Sequence, residues 1–207
     1  KFGPLPEHLL LSVASVLTDP VTTTDELIPS GETSSYRSNP IRLAEFTLSR
    51  RDPGYVGRSK AVRDAAPESW RGLVPHPEET CYASVIWAVR PGDGSAREQA
   101  ASCQRVLGGR ANICVEYATK RYRSNLINWG ILPFTTEDAP AGVGDLLLIE
   151  RIRSAVREGR EQVTATRLSD GRAFQLRLEG LDETQRRILL EGCLMNFYAS
   201  AAKEREA

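Results

Sequence analysis

The residues with the most chemistry to offer lie in one stretch, Pro91-Gly92-Asp93-Gly94-Ser95-Ala96-Arg97-Glu98-Gln99-Ala100-Ala101. An apolar run, Cys81 to Val89, precedes it and reads as a buried strand. Ala96, Ala100, Cys103 and Leu107 follow at helical spacing. The order is therefore strand, glycine turn, helix start. Glycine lets the backbone turn sharply and come close to a ligand. A helix start offers free N–H groups and a partial positive charge to an anion. Ser95 adds a hydroxyl there, and Arg97 a fork-shaped cation that suits a carboxylate. Ser95 and Glu98 also satisfy the Ser-x-x-Glu capping box, so spacing leaves two readings of Ser95, a helix cap or part of an anion site. The stretch is not a Walker loop, and Arg97 stands where a dinucleotide fingerprint needs its third glycine.

Composition narrows the classes. The 207 residues fit one domain or a tight pair with a substantial core. Basic and acidic side chains balance at 27 each, which calls for neither nucleic acid nor an anionic membrane. The four cysteines, Cys81, Cys103, Cys114 and Cys193, form no C-x-x-C pair and read as reduced core thiols in a cytoplasmic setting. With His8 and His76 alone, histidine metal sites and triads are poorly supplied, and no metal ligand set is expected. The run from Leu9 to Leu17 is too short to span a bilayer and lacks the flanks of a signal peptide. The first residues are Lys-Phe rather than Met, which reads as a fragment or a processed form.

Several elements must position the central stretch. Residues 9–17 predict a strand, closed by Thr18-Asp19-Pro20. Val21 to Pro40 is polar and turn-rich, an ordered surface loop, and residues 41–50 predict a short helix. Residues 51–80 form the longest excursion, with a short helix near 59–66. After the central unit, Asn112 to Tyr117 predicts a second buried strand, and a helix over 118–129 ends at Gly130. Two β-α units in succession argue for a parallel sheet. Val163–Leu168 and Ala173–Leu178 alternate around Ser169-Asp170-Gly171, a hairpin. Asp182, with Gln185 three residues on, caps a final helix that turns Leu189, Cys193 and Phe197 inward.

Taken together, the motifs resemble the C-terminal swivelling domain of the aconitase and isopropylmalate isomerase superfamily. Gly92 to Ala101 is similar to its G-x-G-S-S-R-E-H-A-A, and Leu107-Gly108-Gly109-Arg110-Ala111 to its L-G-G-R-A. Asn125, Gly130, Leu132 and Pro133 match N-x-x-x-x-G-x-L-P. Thr23-Thr24-Asp25 with Ile28-Pro29 and Gly31 resembles T-T-D-H-I-x-x-x-G, and Asp182 to Gln185 resembles N-E-T-Q. The resemblance runs from about residue 10 to 200. It implies one α/β swivelling domain over residues 1–207, of β/β/α type, with a largely parallel central sheet, antiparallel additions and flanking helices.

The same resemblance implies a hydro-lyase of the aconitate hydratase kind, acting on a citrate-like hydroxy-polycarboxylate. Ser95 would be the catalytic base, and Arg97, Arg37 and Asp25 would meet substrate. A 4Fe-4S cluster would belong to other domains or a large subunit, would not be ligated by this chain, and would leave it inactive alone. Cys103 and Cys114 are expected in the core. Ala96 replaces the motif's second serine, Gln99 its histidine, and Glu26 follows Asp25 where histidine is usual. Losing one hydroxyl donor is worth about 1 kcal/mol, enough to alter substrate preference. The rival reading is a non-catalytic anion- or RNA-binding module, with Arg105, Arg110, Lys120, Arg121 and Arg123 as a basic patch.

Overall fold

The computed structural model describes residues 2–29, 31, 34–36 and 38–207. Arg37 lies outside the described residues. Nine strands are formed among them: β1 His8–Leu17, β2 Thr22–Thr23, β3 Thr80–Ala88, β4 Pro91–Asp93, β5 Gly109–Cys114, β6 Leu132–Thr135, β7 Leu146–Ile149, β8 Gln162–Arg167 and β9 Ala173–Arg177. The helices are α1 Thr24–Leu27, α2 Pro40–Ala44, α3 Tyr55–Arg63, α4 Glu68–Arg71, α5 Arg97–Val106, α6 Lys120–Asn128, α7 Ile152–Glu158, α8 Glu183–Glu191 and α9 Leu194–Glu206. No described helix is long and apolar enough to cross a membrane.

The chain is a mixed α/β structure whose parallel strands and antiparallel additions form one closed sheet. Strands β1, β3, β5 and β6 run parallel, and β9, β8 and β7 continue antiparallel until β7 pairs with β1. The result is a closed barrel in the order β1-β3-β5-β6-β9-β8-β7. Alternation of side chains explains its two faces. Leu9, Leu11 and Val13 of β1, Val85 and Trp87 of β3, Ile113 of β5, Phe134 of β6, Leu147 of β7, Ala165 of β8 and Phe174 of β9 join one buried cluster. Trp87 and Phe174 meet edge to face, with ring centroids 5.5 Å apart. A second cluster lies between the outer face and the helices, joining Ala14, Ile86 and Ala88 to Leu43, Tyr55, Ala100, Cys103, Tyr122 and Leu126. Cys103 and Cys114 are core residues.

Several expectations shift. The segment from Val21 to Pro40 is not simply a loop. It contains β2 and α1, and Thr23 and Glu26 cap α1 reciprocally. The cap is a Thr-x-x-Glu box closely followed by Pro29, too short a signal to read as a helix. The final helix breaks at Gly192, whose φ of +101° ends α8, so Phe197 sits on a separate helix from Leu189. Strand β7 and helix α7 are additional to the elements predicted from the sequence. The hairpin and the Asp182–Gln185 capping box form as read.

One buried polar cluster joins the elements that matter for the site. Gln104 of α5 donates to the Tyr122 hydroxyl at 2.9 Å. Tyr122 of α6 donates to Asn112 Oδ1 at 2.7 Å, and Asn112 of β5 donates back to Gln104 Oε1 at 2.7 Å. All three side chains are buried, so the ring replaces water with a complete set of internal partners. Asn112→Leu should therefore leave Tyr122 and Gln104 unpaired and lower unfolding stability by about 1–3 kcal/mol. Denaturant unfolding of the single Asn112→Leu and Gln104→Leu variants and of their double variant tests this. Independent, additive losses would show that the three do not act as one unit.

Candidate functional site

The site residues of the central stretch are placed by two short strands beyond the barrel. Strand β2 pairs parallel with β4, with Thr22 opposite Pro91 and Thr23 opposite Asp93. The chain then leaves both strands in the same direction, carrying Asp25 two residues past Thr23 and Ser95 two residues past Asp93. Gly92 and Gly94 have φ of +103° and +134°. A Cβ on Gly92 would overlap the Tyr122 ring, and one on Gly94 would overlap the Thr24 hydroxyl. Glycine is thus required twice, for backbone angle and for close approach.

The cap reading of Ser95 is not realised. Helix α5 begins at Arg97 with Ala96 as its N-cap, and no side chain caps it. Ser95 is exposed, and its hydroxyl makes no hydrogen bond among the described residues. Glu98 instead accepts from the Trp129 indole N–H at 3.2 Å. Arg97 donates one Nη1–H to the Gly94 carbonyl at 2.5 Å, which folds its side chain back over the turn.

Helix α6 approaches the same point. Thr119 caps it by accepting from Tyr122 N–H at 3.1 Å, while the Thr119 hydroxyl donates to the Gly92 carbonyl at 3.3 Å. Ala118 N–H donates to the Pro91 carbonyl at 2.9 Å. The first turns of α5 and α6 therefore border one open cleft of about 460 Å³, lined by Ser95, Arg97, Glu98, Lys120, Arg121 and Asn125. Three cations face one carboxylate, and that carboxylate is already engaged by Trp129. Such a cleft is suited to an anionic ligand.

Of the four expected site residues, the structure brings Ser95 and Arg97 into the cleft. Asp25 lies at the adjoining strand end and faces Arg50, with Oδ2 to Nη1 at 3.7 Å, and does not line the cleft. Arg37 is outside the described residues. Lys120 and Arg121, both exposed, border the cleft. A signal for them existed: cations in the first turn of a helix oppose its dipole, and a broken local rule marks a site under another constraint. The five-residue basic patch loses Arg105 and Arg110, which are buried.

The cysteines do not fit a metal cluster. Burial pushes the Cys103 and Cys114 thiols up to about 12, against the thiolate that binds metal. Among the described residues, no three His, Cys, Asp or Glu side chains group as a metal site.

Residues 79–139 match the aconitase C-terminal domain, a span that includes the whole strand–turn–helix unit and both cleft-forming helix starts. Over that span the chain is similar to the aconitase C-terminal domain. Aconitate hydratase A of Bradyrhizobium diazoefficiens is 35% identical over 82 residues, which span 40% of this chain and 8% of that protein. The crystal structure of 3-isopropylmalate dehydratase from Methanocaldococcus jannaschii shares the fold, with a TM-score of 0.61 and 19% identity over 92% of this chain and 95% of that one. The likeness in fold thus extends over nearly the whole chain, while the sequence likeness concentrates around the cleft.

The cleft geometry depends on the Gly92 and Gly94 turn. Gly92→Ala should force both a strained φ and displacement of Tyr122, lowering stability by about 1–3 kcal/mol. Gly57→Ala is the control, because open space surrounds that position. Equal thermal unfolding temperatures for the two variants would refute the constraint.

Proposed function

We propose that this swivelling domain supplies the base and carboxylate anchors of an aconitase-like hydro-lyase acting on a citrate-like hydroxy-polycarboxylate. The observation that carries the reading is an exposed Ser95, free of any capping duty, at a cationic cleft between two helix starts. In this reading Ser95 Oγ takes the proton from the substrate carbon next to a carboxylate, and returns it in the reverse direction. A serine hydroxyl is a weak base unless its alkoxide is stabilised. The uncapped N–H groups of α5, with Arg97, Lys120 and Arg121 nearby, supply fixed positive charge for that purpose.

Arg97 is the anchor for one carboxylate, whose two oxygens match a planar guanidinium. Arg37 is proposed as a second anchor and Asp25 as a residue at the substrate's far side, on their family positions. Lys120 and Arg121 extend the positive surface for a further carboxylate. The iron–sulfur cluster of the family resemblance would lie outside this chain, in cluster-bearing domains of the same polypeptide or in a large subunit. Departure of the hydroxyl group is left to that portion. Residues 1–207 are proposed as one swivelling domain, working in the cytoplasm.

In the complete enzyme, Ser95→Ala should cut turnover sharply with little change in unfolding temperature, since the side chain holds nothing in place. Near-full activity would sink its assignment as base. Arg97→Lys and Arg37→Lys should each lower kcat/KM by about 10- to 150-fold, the loss of a charged hydrogen bond of ~1.5–3 kcal/mol. Unchanged kinetics in both would remove the anchors. The chain alone should unfold cooperatively yet leave citrate-like hydroxy acids unconverted, and regain turnover when mixed with the cluster-bearing portion. Hydratase activity in the isolated chain would overturn this division of labour.

A further inference from the structure

Two arginines at the other end of α5 are buried with no counter-ion among the described residues. Arg105, in the last turn of α5, is 6% exposed, and Arg110, in β5, is 4% exposed. Arg110 makes no hydrogen bond or ion pair among the described residues, and its Nε and Nη2 are buried and unpartnered. Those two N–H groups point the same way along one edge of the guanidinium. Elsewhere in the chain that edge grips a carboxylate. Arg63 holds Asp64 through Nε at 2.8 Å and Nη2 at 3.0 Å, and Arg167 holds Asp170 at 2.9 and 2.7 Å. At Arg110 the same edge meets nothing.

Arg105 is little better served. Its Nη2–H reaches the Gly192 carbonyl at a long 3.3 Å, and its Nε is buried and unpartnered. The ring of Phe2 covers its guanidinium at 4.6 Å. Burial, and then the charge of Arg110, draws the Arg105 proton affinity down to about 9. The thiols of Cys81 and Cys193 also act on the pair, and neither arginine forms an ion pair with a carboxylate among the described residues. Buried like charges that lack partners are strongly unfavourable. An anion placed there would supply the missing partner.

The surroundings give that anion a route. Phe2 stands edge-on to Trp129, with centroids 6.1 Å apart, and its carbonyl accepts from Asn196 at 2.9 Å. Phe2 and Cys193 also line an adjoining pocket of about 500 Å³. Phe2 thus stands between that pocket and the Arg105 guanidinium. From Arg97 to Arg105 the helix advances about 12 Å, so this point is separate from the Ser95 cleft.

We propose that Arg105 and Arg110 form a buried subsite for a small oxyanion, a carboxylate or an inorganic oxyanion, beneath Phe2. The fork edge of Arg110 grips two oxygens, and Arg105 Nε supplies a third donor from the helix end. The site does not depend on the hydro-lyase reading and is tested without turnover.

The experiment follows thermal unfolding and binding heat of the 207-residue chain in sulfate, phosphate or acetate, at ionic strength fixed with chloride. A saturable rise of about 5–10 °C is expected when the anion exceeds its Kd a hundredfold. Response to acetate alone identifies a carboxylate ligand, and response to sulfate or phosphate alone an inorganic one. Arg110→Met should lose the response and unfold no lower than anion-free wild type, because it removes an unpaired buried charge. Arg110→Lys keeps the charge without the fork and should bind at least about tenfold more weakly. Should Arg110→Met fail to fold, the wild-type titration and Arg110→Lys still decide. Equal unfolding temperatures in every anion, or a full response in Arg110→Met, would overturn the proposal. So would loss of the response in Ser95→Ala, which would move the binding to the cleft.

Discussion

The closed ring of hydrogen bonds among Gln104, Asn112 and Tyr122 is the constraint on which the site rests. Each side chain gives one hydrogen bond and accepts one within the ring, and they come from α5, β5 and α6. A buried polar ring of this kind has one low-energy arrangement, because any slip leaves a donor or acceptor unpaired. It therefore fixes the separation of the two helices whose first turns border the cleft. Tyr122 acts a second time through its ring face, which packs so close to Gly92 that no side chain can stand there. Helix spacing and turn geometry are in this way set by one tyrosine.

Against that rigid base, the cleft breaks local rules in a consistent direction. Arg97 begins α5, and Lys120 and Arg121 begin α6, where the helix dipole disfavours cations by about 0.3–1 kcal/mol each. Ala96 leaves the start of α5 uncapped, forgoing about 1 kcal/mol that a serine or aspartate would contribute. An acid at any of these positions would stabilise the helices and fill the cleft with negative charge. The sequence places cations at these three positions, with Glu98 as the acid in the first turn of α5 and none in that of α6. The fold is stable enough elsewhere, through the barrel interior and the packed outer face, to carry these local costs.

The parts legible in the sequence were those carried by short-range pattern. The alternation of Val85 and Trp87, the spacing of Ala100 and Cys103, and the Asp182–Gln185 cap all act within a few residues. Barrel closure is different in kind. It depends on β7 meeting β1 through Leu148 and Leu10, residues more than a hundred positions apart, and nothing local announces it. Ser95 shows the limit of spacing in another way. The Ser-x-x-Glu pattern is present, but Trp129 takes the Glu98 carboxylate and the helix begins one residue late. Tertiary contact overrode a local signal, and in doing so left the hydroxyl open. Lys120 and Arg121 were visible as charges but not as cleft residues, because only the approach of α6 to the glycine turn brings them to Ser95.

The chain thus holds positive charge in two physical settings. In the cleft, Arg97, Lys120 and Arg121 remain in contact with water, so their charge is screened and easily accommodated until a ligand excludes solvent. At the far end of α5, Arg105 and Arg110 are already dry, and screening is not available to them. The same helix connects both. Its first turn offers uncapped N–H groups to the cleft, and its last turn delivers Arg105 to the Gly192 carbonyl and the Phe2 ring. Phe2 leans on Trp129, and Trp129 holds Glu98 at the edge of the cleft. The Phe2–Trp129 ring pair and the Glu98 carboxylate thus lie between the two cationic regions.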